Sequence, residues 1–133
     1  MKNIIYITTL LLLITFNTIS NAQNIRIDSL KRVLNVVKND TSRVSIYNNL
    51  ANEYKESYPD STGFYATKAV ALSQKVNFNF GLANAYINLG NSNIILGNYK
   101  NANNYFIKAQ NEFEKLLESD SKNLKFKNGL ARF

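Results

Sequence analysis

The chain has 133 residues, of which 45% are hydrophobic, so it can build the core of one small domain at most. It contains no His and no Cys, which removes the usual neutral-pH base, the thiolate nucleophile, the commonest transition-metal ligands and any disulfide. The 16 Lys and Arg residues outnumber the 9 acidic residues, but 15 of them are spread from Arg26 to Arg132 without a basic stripe, which indicates a solvated surface and no nucleic-acid partner.

Residues 1–22 have the pattern of a secretory signal peptide. Lys2 gives a positive start, residues 4–16 are mostly apolar, and Ser20 and Ala22 are small residues at the positions that a signal peptidase reads. We predict cleavage before Gln23 and an exported protein, periplasmic or otherwise extracytoplasmic. The alternative is a segment that is retained as an N-terminal membrane anchor. A lipid anchor is not expected, because no Cys follows the apolar stretch.

Three helices are predicted over residues 23–39, 42–58 and 62–76. Each presents apolar residues at helical spacing on one face. These residues are Ile27, Leu30, Leu34 and Val37 in the first helix; Tyr47, Leu50, Ala51, Tyr54 and Tyr58 in the second; and Tyr65, Ala66, Ala69, Leu72 and Val76 in the third.

The starts of the second and third helices carry capping signals. The side-chain oxygens of the run Asp40-Thr41-Ser42 can accept the unpaired N–H groups of the second helix. Pro59 is expected to stop that helix, and Asp60 or Ser61 to cap the next one. We therefore predict a helical hairpin over about 42–76.

A second hairpin is predicted over about 80–117, with its turn at Leu96-Gly97-Asn98. Small residues at Gly90, Ala102 and Ala109 suit a close approach of two helices, and Tyr86 and Phe106 fill the space around them. The apolar faces are formed by Leu82, Tyr86, Leu89 and Asn93, and by Ala102, Tyr105, Phe106, Ala109, Phe113 and Leu116.

The order of residues in this hairpin resembles the tetratricopeptide repeat. With Ala83 as the first position, the matches are Tyr86, Leu89, Gly90, Ala102, Phe106 and Ala109, whereas Asn93 and Glu114 depart from the pattern. Residues 42–76 form a less regular copy, in which Tyr47, Leu50 and Ala51 precede their counterparts by 39 residues. The resemblance implies an all-α fold, with antiparallel hairpins stacked as a short solenoid over 23–117. An unrelated helical bundle is the alternative.

Residues 118–133 are predicted to be a polar linker followed by the start of a further repeat. The segment from Asn128 to Phe133 is similar to the segment from Phe80 to Ala85, where the second hairpin begins. A solenoid normally closes with a polar capping helix, so we interpret the chain as the front part of a longer protein. The alternative is an end that docks on the last hairpin.

An enzymatic role is not expected. Glu53 with Glu56, and Glu114 with Glu118, are the carboxylate pairs that share a helix face, and a solvated face explains both pairs better than acid–base chemistry does. The glycines are isolated and form no phosphate-binding loop. We predict no catalytic residue, no cofactor and no metal.

Binding is the better prospect. In tetratricopeptide arrays the first helix of each hairpin lines a concave groove, and the resemblance assigns this groove to Asn48, Asn52, Lys55, Asn84, Ile87 and Asn91, with Ser45 and Ile94 continuing the two rows. Asn amides can bond to a peptide backbone, so a protein or peptide ligand is expected. The general abundance of Asn is the alternative explanation. Asn48 and Ile87 occupy the positions of basic clamp residues, which argues against capture of a terminal carboxylate.

The layout from Ile27 onward resembles the extracytoplasmic front end of bacterial tetratricopeptide-repeat sensor histidine kinases or regulators. In that family the repeats precede a membrane helix and an output domain. We therefore expect the sensing portion of a signalling protein, attached to a membrane only through the signal segment or a downstream span. A free-standing envelope adaptor is the alternative, and an enzyme that uses a carboxylate pair is the weakest hypothesis.

Overall fold

The computed structural model describes Tyr6 and residues 23–119. Within 23–119 the chain forms five helices and no strand: α1 (23–36), α2 (Asp40–Tyr54), α3 (Pro59–Lys75), α4 (Asn79–Ile95) and α5 (Tyr99–Ser119). Apart from Tyr6, the predicted signal segment lies outside the described residues. So does the further repeat that we predict to begin near Asn128.

Helix α1 covers the outer face of α2. Ile27 is buried against Ile46 and Leu50, and the partly buried Leu30, Leu34 and Val37 extend the same cluster. On the remaining faces of α1, Val33 and Val36 are exposed. The predicted apolar stripe is therefore the stripe that this helix buries.

Polar contacts at both ends set the direction of α1 relative to α2. The Arg43 guanidinium donates to the backbone carbonyls of Leu34 (3.3 Å) and Val37 (3.2 Å). At the opposite end, the Gln23 amide donates to the backbone carbonyl of Glu53. The end of α1 thus lies beside the start of α2, so the two helices are antiparallel.

The cap of α2 differs from the prediction. Asn39 is the N-cap, and its Oδ1 accepts from the Ser42 N–H at 2.9 Å. Asp40, Thr41 and Ser42 instead occupy the first turn of the helix. Because the helix begins at Asp40, two residues before the predicted start at residue 42, the capping oxygen comes from the residue before the predicted run.

The connection between α2 and α3 was also assigned incorrectly from the sequence. Helix α2 ends at Tyr54, four residues before Tyr58, and Tyr58 is exposed rather than on the apolar face. Pro59 begins α3 instead of stopping α2, and no side chain caps this helix. A proline fits the first helical position because the N–H that it lacks would have no intrahelical partner there.

Two clusters of buried residues, four of which are alanines, hold α2, α3 and α4 together. Val44 meets Ala69 and Ala85 in one cluster, and Ala51 meets Ala66 and Leu89 in the other. In these clusters residue numbers rise together along α2 and α4 and fall along α3, so α2 and α4 are parallel neighbours and α3 is antiparallel to both. Short side chains at these positions allow the helices to approach closely.

Helices α3 and α4 end in the same type of turn. Asn77 (φ 53°) and Gly97 (φ 76°) adopt the left-handed conformation directly after the helix caps. The Phe78 N–H then bonds to the Ser73 carbonyl at 2.9 Å, and the Asn98 N–H to the Asn93 carbonyl at 2.8 Å. This is the Schellman arrangement, which satisfies carbonyls that a helix end leaves unpaired. The Gly97 turn matches the prediction, whereas the sequence did not indicate the role of Asn77.

Helix α5 packs antiparallel to α4. Ala102, Ala109 and Phe113 are buried, and α5 continues to Ser119, two residues beyond the predicted end of the hairpin. Gly90 allows this contact, because a Cβ atom there would lie 2.4 Å from Cε1 of Phe106. Among the described residues, no helix combines the length and apolar character that a membrane crossing requires.

Candidate groove between the first helices of the hairpins

The parallel neighbours α2 and α4 line a cavity with a volume of about 530 Å³. We call it the asparagine groove. Its walls come from α2 and α4, with one residue from α5. The lining residues are Asn48, Asn49, Asn52, Lys55, Phe80, Asn84, Ile87, Asn88, Asn91 and Phe106.

All six residues assigned to the groove from the sequence lie in this lining: Asn48, Asn52, Lys55, Asn84, Ile87 and Asn91. The two residues that continue the rows do not. Ser45 is exposed and its hydroxyl donates to the Thr41 carbonyl, while Ile94 lies in a neighbouring cavity of about 220 Å³. The structure thus brings the six together in one cavity.

Sequence reasoning missed four lining residues: Asn49, Phe80, Asn88 and Phe106. Asn49 stands three residues before Asn52 and therefore on the same side of α2, a spacing that could have identified it. Phe106 belongs to α5 and had been assigned only a packing role. Its place in the groove follows from the tertiary contact between α4 and α5.

The floor of the groove is a buried amide network. Asn48 Nδ2 donates to the Gly81 carbonyl at 2.9 Å, and Asn88 Nδ2 donates at 3.2 Å to both the carbonyl and the Oδ1 of Asn48. Asn48 and Asn88 are only 8% and 6% exposed. Since buried amides must be paired, these two side chains serve mainly to join α2 to α4.

The walls of the groove present side-chain amides that do not bond across from α2 to α4. Asn49 and Asn52 are exposed and Asn91 is partly exposed, and within the described residues their side chains form no hydrogen bond. Asn84 differs, because its Nδ2 donates to the Phe80 carbonyl at 2.7 Å. The groove therefore offers donors and acceptors at three separate points along its length.

Apolar surface lies beside these amides. Ile87 is partly exposed on α4, and Phe80 and Phe106 line the same cavity. Phe80 is fixed by an edge-to-face contact with Phe113, with ring centroids 5.9 Å apart. The groove can thus hold an apolar side chain next to a polar backbone.

The electrostatics of the groove are simple. Helix α4 contains no charged residue, and Lys55 is the one charged side chain in the lining. Lys55 is partly buried and has no acidic partner among the described residues. The groove is therefore mildly positive at the end where α2 finishes.

The two predicted carboxylate pairs differ in their contacts, and Glu53 and Glu56 both line a cavity of about 220 Å³. Glu53 accepts from Arg26 Nε at 3.0 Å, whereas Glu56 lies beyond the end of α2. Glu114 accepts from the Gln110 amide at 2.8 Å. Among the described residues, no three acidic side chains gather closely enough to hold a metal ion.

Comparisons with known proteins agree with this architecture. The family model described as the SusR N-terminal TPR domain, where TPR denotes the tetratricopeptide repeat, matches residues 16–116. Searches of curated proteins and of solved structures returned no match. The match covers most of the chain, including all of α1 to α4 and the repeat positions at Gly90 and Ala109. The chain therefore belongs to the family of SusR N-terminal TPR domains, and its fold is an all-α tetratricopeptide-repeat array.

Proposed function

We propose that this protein is an exported interaction module that binds an extended peptide segment of a partner protein in the asparagine groove. The observation that carries the proposal is the lining itself, in which uncommitted amides at Asn49, Asn52 and Asn91 share one cavity with the apolar side chains of Ile87 and Phe106. Tetratricopeptide-repeat domains typically bind proteins or peptides, and helical solenoids do so through such concave surfaces.

An Asn side chain presents one acceptor and one donor group, as a peptide unit does. A row of them can pair with the backbone of an extended segment whatever its side chains are. Ile87 and Phe106 then favour an apolar side chain, and Lys55 favours an acidic group at one end. The expected ligand is thus an extended segment with alternating apolar residues and one carboxylate.

The same proposal places the module at the sensing end of a signalling protein. Support comes from the family, which is described as an N-terminal domain, and from the signal-like residues 1–22. A free-standing envelope adaptor would use the same groove. Reading the encoding DNA beyond the codon for Phe133 separates the two roles, because a sensor requires a membrane helix and an output domain there.

Selection of random displayed peptides on the purified protein tests the groove. We expect selected peptides to bind the protein, and the double variant Asn52→Ala, Asn91→Ala to bind them at least tenfold more weakly. The estimate follows from about 1 kcal/mol for each hydrogen bond lost. The matched control is Asn103→Ala, a change at an exposed Asn on α5 outside the groove, which should leave affinity unchanged.

Two outcomes would overturn the proposal. One is equal affinity of the double variant and the unchanged protein for the selected peptides. The other is loss of affinity in Asn103→Ala to the same extent as in the double variant. Because the side chains of Asn52 and Asn91 make no hydrogen bonds in the described part of the molecule, their replacement should not disturb the fold.

A further inference from the structure

A second cavity, with a volume of about 300 Å³, lies between α2 and α3 and shares no lining residue with the asparagine groove. We call it the basic pocket. Helix α2 contributes two of its residues and α3 contributes four. The lining residues are Arg43, Tyr47, Lys68, Ala71, Leu72 and Lys75.

Three positive charges meet in this pocket, and its lining contains no acidic residue. The ion pairs among the described residues are Arg26–Glu53 and Lys115–Glu112, so Arg43, Lys68 and Lys75 are not neutralised by a carboxylate there. Asp40 stands three residues before Arg43 and forms no ion pair with it. Like charges that gather without a counter-charge favour an anion between them.

Two of the three basic side chains have defined contacts. The Arg43 guanidinium donates to the Tyr47 hydroxyl at 3.4 Å as well as to the end of α1. Lys68 Nζ lies 4.9 Å from the centroid of the Phe64 ring. Lys75 follows Lys68 by seven residues, which places both on one face of α3, two turns apart. The Tyr47 hydroxyl accepts from Arg43 and can donate its own hydrogen to a ligand.

We propose that the basic pocket binds a phosphate monoester. A doubly charged oxoanion offsets two of the three positive charges, and the guanidinium donors of Arg43 that bond neither the carbonyls at the end of α1 nor Tyr47 can bond phosphate oxygens. The apolar surface of Ala71 and Leu72 receives the organic part of the ligand. The site is independent of the peptide groove on the other side of α2.

Titration of the protein with phenyl phosphate, followed by amide NMR shifts, tests this site. We expect saturable shifts at Tyr47, Ala71 and Leu72, and weaker binding of singly charged benzoate. Lys68→Gln and Lys75→Gln should each weaken phenyl phosphate binding about fivefold, since one exposed charge contributes about 1 kcal/mol. Both side chains are exposed, so neither change should affect folding, which a thermal melt checks.

The control is Lys100→Gln, which removes an exposed charge from α5, outside the pocket, and should not change the affinity. An equal loss in this variant, or shifts that do not saturate, would overturn the proposal. The variant Asn52→Ala, Asn91→Ala should bind phenyl phosphate normally even if it has lost peptides, so the two proposals can fail separately.

Sedimentation with phosphatidylcholine vesicles, with and without phosphatidic acid, distinguishes a lipid headgroup from a soluble phosphate monoester. Binding to phosphatidic acid vesicles that Lys68→Gln weakens would identify the headgroup as the source. Binding of phenyl phosphate without vesicle binding would identify a soluble ligand. Binding of neither probe would refute the site.

Discussion

Asn88 Nδ2 lies 3.2 Å from Oδ1 of Asn48, and this buried pair joins the two helices that form the asparagine groove. Most asparagines of the lining therefore fall into two groups, those that bond between the helices and those whose side chains form no bond within the described residues. Asn48 and Asn88 hold α2 against α4, while Asn49, Asn52 and Asn91 remain able to bond to a ligand. Stability and binding therefore depend on different asparagines.

Replacement of Asn48 by Ala should destabilise the fold. The change removes the buried bonds of the Asn48 side chain to the Gly81 carbonyl and to Asn88, which keeps its bond to the backbone carbonyl of residue 48, so we expect the free energy of unfolding to fall by about 1–3 kcal/mol. Urea denaturation measures the change. Asn49→Ala, at the adjacent exposed position, should stay within about 0.5 kcal/mol of the unchanged protein. Equal stability of the two variants would contradict a structural role for Asn48.

Replacement of Gly90 by Leu should overpack the contact between α4 and α5. A Cβ atom at Gly90 would lie 2.4 Å from Phe106 Cε1, and the longer side chain adds further overlap. We expect a loss of about 3 kcal/mol in the free energy of unfolding. The cost should be smaller when Phe106 is also replaced by Ala, because that change removes the ring. A thermal melt of Gly90→Leu without any shift would disprove the close contact.

Tyr86 should make stability depend on alkaline pH. Burial, followed by the negative charge of Glu112, raises the pKa of Tyr86 above its ordinary value of 10.0. Between that value and the raised one, the folded protein retains a proton that the unfolded chain releases, so the free energy of unfolding falls as pH rises. Denaturation series above pH 10 measure this fall.

In Tyr86→Phe the free energy of unfolding should fall less steeply above pH 10, because the variant has no proton to lose at this position. The control, Tyr99→Phe, changes a side chain that is 70% exposed on α5 and should leave the slope unchanged. If Tyr86→Phe and the unchanged protein lose stability equally above pH 10, the burial of this phenol does not govern the effect.

The ion pair between Arg26 and Glu53 should contribute modestly to the docking of α1. Arg26 is 64% exposed and Glu53 is 19% exposed, so Glu53→Gln should cost no more than about 1 kcal/mol of unfolding free energy. The difference in unfolding free energy between Glu53→Gln and the unchanged protein should shrink in high salt, which screens the charges. Glu56→Gln is the control and should have no effect on the free energy of unfolding.

An unchanged catalytic rate in the Glu53→Gln, Glu56→Gln double variant would remove the carboxylate pair as an explanation of any activity found.

Local sequence patterns were sufficient for the presence of the helices and for most of their buried faces, although Tyr58 was assigned to a buried face and is exposed. Helical spacing identified the face of α1 around Ile27, and the small residues Gly90 and Ala109 indicated the close approach of α4 and α5. These predictions succeed because an apolar stripe on a helix has to be buried whatever covers it. Capping was less certain. A capping oxygen can come from Asn39, Asp40, Thr41 or Ser42. Only the observed start of α2 selects Asn39.

The sequence by itself determined that the protein is an array of helical hairpins, and the repeat offsets were enough to bring six residues to one groove. The tertiary structure decided what those residues do, because the contact between α2 and α4 buries Asn48 and leaves Asn52 exposed. It also decided that Arg43 and Lys75, 32 residues apart in the chain, share a pocket. Spacing along one helix predicts a face, but the convergence of charges from two helices depends on how those helices pack.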